Sequence, residues 1–273
     1  MTTLKLKAKN AAVFTLCEML SKLGYPIKIS DSFTAEIDSA VKDFQSKNAL
    51  VVDGIVGMKT WQVLLDKSSK IFKTNDLFLS EQDLKDFAKS FNLELAAVKA
   101  VNEVESCGKG FLLNGKPKIL FEGHIFWQQL KKSGFKPEQM SNSSNKNVLY
   151  AKWTKAFYLG GAKEYDRLDE AIAISNDPKM KEAALASCSW GSFQIMGYHA
   201  KSLGYSSVQD FVDRMYIHER EHLKAFGKFL EVNNIMNDLR NKNWVKVAQK
   251  YNGPAYKQNK YDEKLRKAYE RYS

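Results

Sequence analysis

The chain has 273 residues, 44% of them hydrophobic and 12% aromatic, with 42 basic against 31 acidic residues and a formal net charge of +11. That apolar and aromatic content excludes a disordered chain, and the length allows one large domain or a small one followed by a larger one. The positive excess favours polyanionic partners, but no long basic run and no nucleic-acid motif occurs, so nucleic acid is not an expected partner. Cys17, Cys107 and Cys188, without Cys-x-x-Cys spacing, read as reduced thiols, not as a disulfide framework or zinc site.

Met1–Asn10 is basic, but Cys17-Glu18 and Ser21-Lys22 interrupt the apolar stretch that follows. Neither a secretory signal nor a membrane span is expected. A first domain is predicted over residues 1–70. Val13, Leu16, Leu20 and Leu23 recur at helical spacing, and Ile37, Ala40, Val41 and Phe44 mark a second helix with capping residues at Asp31, Ser32 and Thr34. Gly54 and Gly57 bracket a turn, after which Met58, Trp61, Leu64 and Leu65 open a third helix. Polar Ser69–Asn75 is the expected linker, and a second, mainly helical domain is predicted over 76–273.

Ser80-Glu81-Gln82-Asp83 reads as a capped helix start. The next strong signal is Val98–Gly108, a helix ending in two glutamates. At about 100° per residue, Val98, Val101, Val104 and Glu105 share one arc, whereas Glu103 points away, within reach of Lys99. A carboxyl on the apolar face at a helix C-terminus is disfavoured as an anion, so Glu105 has the setting of a proton donor. The plainer alternative is a carboxylate that caps or snorkels. Asn114-Gly115 between apolar runs predicts a type I′ hairpin, kept short by Pro117. Its second strand is expected to fold back toward the helix end and bring Glu122 to the edge of a cleft near Glu105. There Glu122 either stabilises charge or orients water, or it merely holds the hairpin through backbone N–H groups or His124. Residues 137–147 read as a surface loop.

Ser189–His199 carries a Gly-x-x-Gln turn, with a helix start around a core Trp and Phe as the alternative, and Tyr251-Asn252-Gly253 follows later. Cys107 and Cys188 stand beside these motifs; they are either neighbours in space or simply two small buried thiols. His124 and His199 lack a Cys or Asp at ligand spacing, so neither metal nor cofactor is expected. The basic run Lys257–Arg271 is read as a solvated helix face or as a partner for acidic groups.

Taken in order, these motifs resemble the lysozyme-like superfamily, which cuts the glycan strands of bacterial peptidoglycan. Glu105-Ser106 matches the Glu-Ser of goose-type lysozymes and lytic transglycosylases; Gly191-Ser192-Phe193-Gln194 and Tyr251-Asn252-Gly253 stand where those families carry their groove residues. Pro117–Phe126 and Ala186–Gly197 are most similar to the phage-type N-acetylmuramidase domain. Pro254, where transglycosylases often have another glycine, is a departure. Residues 41–61, with Asp53, Gly54, Gly57, Thr60 and Trp61, resemble the three-helix peptidoglycan-binding module. The resemblance implies a modular, monomeric wall hydrolase of the phage endolysin type. It implies cleavage of the β-1,4 bond between N-acetylmuramic acid and N-acetylglucosamine, with Glu105 as acid and Glu122 as candidate second carboxylate. Gln194, Tyr251, Asn252, Trp190 and Ser192 are then the candidate substrate contacts. Made without a signal peptide, such a protein is expected to reach the wall by holin-type release. The alternatives are a lytic transglycosylase, and a non-catalytic wall-binding protein on a degenerate enzyme fold.

Overall fold

The computed structural model describes residues 3–71, 77–106 and 110–273. The chain divides into two compact units, Met1–Asn75 and Asp76–Ser273. Most of the expected linker, and Cys107 with its expected proximity to Cys188, lie outside the described residues. The fold is mainly α, with one small sheet. Among the described residues no helix is long and apolar enough to cross a membrane.

The first unit is three helices, α1 (Ala11–Lys22), α2 (Ala35–Lys47) and α3 (Met58–Ile71). Thr34 caps α2 by accepting the Ile37 N–H. Leu16, Leu20, Ile37, Phe44, Trp61 and Leu64 are buried in one core. The Gln45 side chain organises the 53–57 turn from within. Its amide nitrogen donates to Asp53 Oδ1 at 2.9 Å and the Ile55 carbonyl at 3.0 Å, while its oxygen accepts the Gly54 N–H at 2.9 Å. Gly54 sits at φ +74°, and a Cβ there would lie 2.4 Å from Asp38 Oδ1, so only glycine fits.

The second unit runs α4 (Glu81–Phe91), α5 (Leu95–Glu105), β1 (Ile119–Phe121), α6 (Gly123–Lys132), α7 (Pro137–Met140), α8 (Lys163–Ile172), α9 (Pro178–Ala186), β2 (Cys188–Trp190), β3 (Ile195–Met196), α10 (Val208–Met215), α11 (Glu219–Val232), α12 (Met236–Arg240), α13 (Trp244–Asn252) and α14 (Tyr261–Tyr272). Ser80 and Asp83 form a reciprocal capping box at α4. Helix α5 is flanked by α4 and α14, and Ala97, Val98, Ala100 and Val101 are its buried positions. The basic run is therefore not only a solvated face: Leu265 and Ala268 of α14 are buried. Within the expected 137–147 loop, Pro137–Met140 forms a short helix with proline in its first turn, where a missing N–H costs nothing.

The hairpin differs from expectation in two ways. The Leu112 N–H bonds the Lys116 carbonyl at 2.8 Å, and in this turn only Gly115 takes a positive φ. The loop is thus the three-residue type with a left-handed glycine, not a type I′ turn, which needs two positive φ values. The second strand then leaves its hairpin partner. Beyond the Phe111–Pro117 bridge, β1 pairs antiparallel with β2, with Ile119 opposite Trp190 and Phe121 opposite Cys188. Strand β3 pairs on the other side of β2.

Candidate active site

A cavity of about 460 Å³ opens where the end of α5, the start of β1, the 191–196 turn and the end of α13 meet. Glu105, Ser192, Gln194, Tyr251 and Asn252 all line it, with Lys118, Met196, Tyr198, His199, Phe229 and Tyr261. Glu105 is its one carboxylate among the described residues.

Helix geometry explains how the two glutamates diverge. Glu103 lies on the outer face, paired with Arg271 and accepting the Tyr272 hydroxyl at 2.7 Å. Its partner is thus on α14 and not Lys99, which pairs instead with Glu81 at 2.7 Å. These contacts hold the Glu103 carboxyl below its ordinary pKa. Glu105 is treated in the opposite way: burial pushes its pKa from 4.5 up to about 7, against the opposing pull of Asn252 and Lys264. Asn252 Nδ2 donates to Glu105 Oε2 at 3.0 Å. Among the described residues Glu105 Oε1 is buried without a hydrogen-bond partner. An orphaned acceptor in a low-dielectric site favours the protonated acid, which then has one unengaged O–H to give.

The other polar groups of the site are tied into the protein. Gln194 takes a left-handed φ of +49°, and its Nε2 donates to the Gly191 carbonyl at 2.8 Å. Its Oε1 accepts the Ser189 hydroxyl at 2.9 Å. The Tyr251 hydroxyl donates to the Phe193 carbonyl at 2.8 Å. Both side chains brace the turn they line. Sequence reasoning missed Tyr198, Lys118, Phe229 and Tyr261 as lining residues, and had His199 only as a structural histidine. Tyr198 and His199 directly follow the Gly-x-x-Gln turn, and that proximity was the available signal. Tyr198 is 40% exposed, and its ring packs tilted against that of His199, with 4.4 Å between centres.

Two candidates stand elsewhere. Trp190 is 1% exposed, does not line the cavity, and donates its indole N–H to the Leu185 carbonyl at 3.1 Å. Strand β2 is buried on both faces, so its tryptophan belongs to the core. Glu122 does not line the cavity either. Lys118 lines the cavity just before the three-residue β1, and the four extended steps from Lys118 to Glu122 span about 13 Å. There Glu122 precedes α6, accepts the Tyr158 hydroxyl at 2.7 Å and lies 3.4 Å from His124 Nδ1. The direction of the strand is set by its pairing with β2, which the local hairpin signal did not encode. Among the described residues no cluster of His, Cys, Asp or Glu suits a metal ion. Cys17 and Cys188 are buried free thiols.

In the first unit, the signature side chains divide between the core, where Thr60 and Trp61 lie, and the surface, where Asp53 is exposed. Thr60 and Trp61 are 5% and 3% exposed, and Asp53 is engaged by Gln45 and the Ile55 N–H. Beside Asp53, the apolar side chains that the turn presents to solvent are Val51, Val52, Ile55 and Met58.

A family model described as N-acetylmuramidase matches residues 94–273, and one described as a putative peptidoglycan binding domain matches residues 9–64. The crystal structure of the Burkholderia AP3 phage endolysin is similar over 99% of both chains, at 40% sequence identity and a TM-score of 0.67. No curated protein matches.

Proposed function

The chain belongs to the N-acetylmuramidase family, and from that premise we propose that Glu105 is the general acid of an endolysin that hydrolyses the β-1,4 bond between N-acetylmuramic acid and N-acetylglucosamine. The observation that carries this reading is the desolvated carboxyl of Glu105, poised at about 7 in the cavity. An acid matched to the working pH is protonated often enough to give its proton and weak enough a base to let it go.

The steps follow from what the cavity supplies. Glu105 passes its proton to the glycosidic oxygen as the C1–O bond breaks, and positive charge gathers at C1. Glu105 is the cavity's one carboxylate among the described residues, so the balancing group comes from the substrate. The carbonyl oxygen of its 2-acetamido group closes on C1 from the opposite face, as in the substrate-assisted glycosidases. The Glu105 carboxylate then takes a proton from the water that adds to C1, which returns the acid to its starting state. Asn252 holds the carboxyl so that Oε2 is engaged and Oε1 is the proton-bearing atom. Gln194 and Tyr251 keep the opposing turn in shape, and Tyr198 offers an aromatic face to a sugar ring.

The first unit serves as the wall-binding module. Tethering raises the effective concentration of the catalytic unit on an insoluble substrate. Every lining residue comes from one unit of one chain, so a monomer carries a complete site. The endolysin likeness supports action on the wall, and holin-type release is the route this reading carries with it.

Purified sacculi test the reading. Wild-type protein is expected to release muropeptides with a reducing muramic acid end, and Glu105→Gln to release almost none. Products one water lighter, with a 1,6-anhydro end, would replace hydrolysis by the transglycosylase reaction. Release by folded Glu105→Gln at the wild-type rate would remove Glu105 from the chemistry.

A further inference from the structure

The first turn of α11 carries two buried ionisable side chains that do not line the cavity, Glu219 and His222, which are 6% and 1% exposed. The Glu219 carboxylate accepts two backbone N–H groups from distant parts of the chain, Leu79 at 2.9 Å and Gly110 at 2.5 Å. Three residues further along, His222 Nε2 lies 2.7 Å from the Met215 carbonyl. A carbonyl can only accept, so Nε2 carries the proton and Nδ1 is the bare acceptor. Nδ1 takes the Ser192 N–H at 3.1 Å, with the Ser192 hydroxyl 3.2 Å away. Phe111 stacks on the imidazole at 5.0 Å between ring centres.

The fit around this ring leaves no room for a methyl group. A Cβ on Gly110 would lie 2.5 Å from His222 Nδ1 and 2.2 Å from Ser192 Oγ, and one on Gly191 would lie 2.7 Å from the ring. Gly110 is five residues past Glu105, and Ser192 is two residues before Gln194. The chain leaving the acid and the turn forming the opposite wall are therefore gripped by the same helical turn. We propose that His222, together with Glu219, is a positioning pair for the glycosidase site, setting the separation between Glu105 and the 191–194 turn from behind the cavity wall. The inference rests on the reading of Glu105 as the acid.

The choice of histidine has a physical reason. The Ser192 N–H is buried and needs an acceptor, while the Met215 carbonyl needs a donor, and a neutral imidazole offers one of each on opposite sides. Leucine of similar bulk would leave both groups unsatisfied. Asparagine would keep an acceptor near the Nδ1 position. A buried carboxylate at Glu219 is likewise matched to two N–H donors, and glutamine there would turn an amide N–H against one of them.

The test compares His222→Leu, His222→Asn and Glu219→Gln with the wild type on soluble glycan fragments of peptidoglycan, well below each variant's Tm. His222→Leu is expected to lower kcat by about tenfold to a hundredfold with a smaller change in KM, the scale of loss for an active-site displacement of about 1 Å. Its alkaline pH limb should also move to lower pH, because a loosened turn admits water to Glu105. His222→Asn should restore most of kcat. Glu219→Gln, the milder change, should lower kcat in the same sense if His222→Leu does not fold. Wild-type kcat, KM and pH limb in folded His222→Leu and Glu219→Gln would overturn the proposal. So would losses in His222→Asn equal to those in His222→Leu, since packing alone would then account for both. Glu105→Gln is run in parallel. If it cuts at the wild-type rate, the acid assignment fails, whatever the His222 variants do.

Discussion

A group that burial holds against its preferred charge state should destabilise the fold when it ionises, and Glu105 is such a group. Its pKa rises from 4.5 to about 7 on folding. The folded state therefore binds the proton more tightly than the unfolded state. Stability from this group is complete below about pH 4.5 and is lost as pH rises through about 7. Each pKa unit is worth about 1.4 kcal/mol, so the full loss comes to about 3 kcal/mol. Glutamine has the shape of the protonated acid and cannot ionise. Glu105→Gln should thus match the wild type near pH 4 and exceed it near pH 8.5 by up to about 3 kcal/mol. For a unit of this size that corresponds to roughly 6–12 °C in Tm. Calorimetry or denaturant melts of both proteins at the two pH values give the comparison, and lysis by the variant should fall at least about a hundredfold. Equal stability differences at both pH values, or a wild type that gains on the variant in alkali, would refute the claim that Glu105 is held protonated by burial.

Lysis of sacculi by the wild type should fall with a midpoint near pH 7 on the alkaline side, where Glu105 loses its proton; a rate flat through that region would break the link between the acid and the rate. Glu103→Gln removes an exposed pair with Arg271 and should cost no more than about 1 kcal/mol, leaving the lytic rate nearly unchanged. Glu122→Gln should lower Tm, because the Tyr158 hydroxyl then meets a neutral amide in place of a carboxylate, with activity following only as the fold weakens; a large fall in kcat at constant Tm would return Glu122 to the chemistry. In the first unit, Val52→Ser with Met58→Ser should weaken sedimentation with purified peptidoglycan at unchanged Tm, because these side chains face solvent, whereas Gln45→Ala should lower Tm by unpinning the 53–57 turn.

Periodicity within one helix was enough to separate Glu105 from Glu103, because a helix turns each residue by a fixed angle and the apolar arc then shows which side is buried. The same logic reached Gln194 and Tyr251 only as motifs, and it did not show that their polar ends are spent on the Gly191 and Phe193 carbonyls. At Glu122 it left two roles open, and the contacts with Tyr158 and His124 fit the structural one. The Asn114-Gly115 signal is local, whereas the direction of β1 is set by pairing with residues 188–190, some seventy positions away. Trp190 was drawn into the site by adjacency to Gly191 in the string, yet it belongs to a strand with both faces buried. His222 carried no signal, since its partners Ser192 and Met215 sit on other elements and no short motif joins them. Local chemistry is written locally; what braces it is written in the pairing of distant segments.

That bracing bears on the central tension of such a site. A carboxyl kept acidic near neutral pH needs a poorly solvated setting, while a sugar chain needs polar groups within reach. Here the two demands are separated by commitment. The Gln194 amide and Tyr251 hydroxyl line the cavity, but each is bonded to backbone and so does not stabilise the Glu105 anion. Asn252 is bonded to the acid, on one oxygen. The end of α5 adds carbonyl dipoles that oppose a negative charge at Glu105. On this account the pKa of Glu105 and the shape of the cavity are one property, because the bonds that hold the turn in place also keep its polar groups away from the acid. A change behind the wall, at His222 or Glu219, must then alter the pH limb and kcat together, whereas a change at a sugar-facing surface such as Tyr198 should alter KM and leave the pH limb where it was.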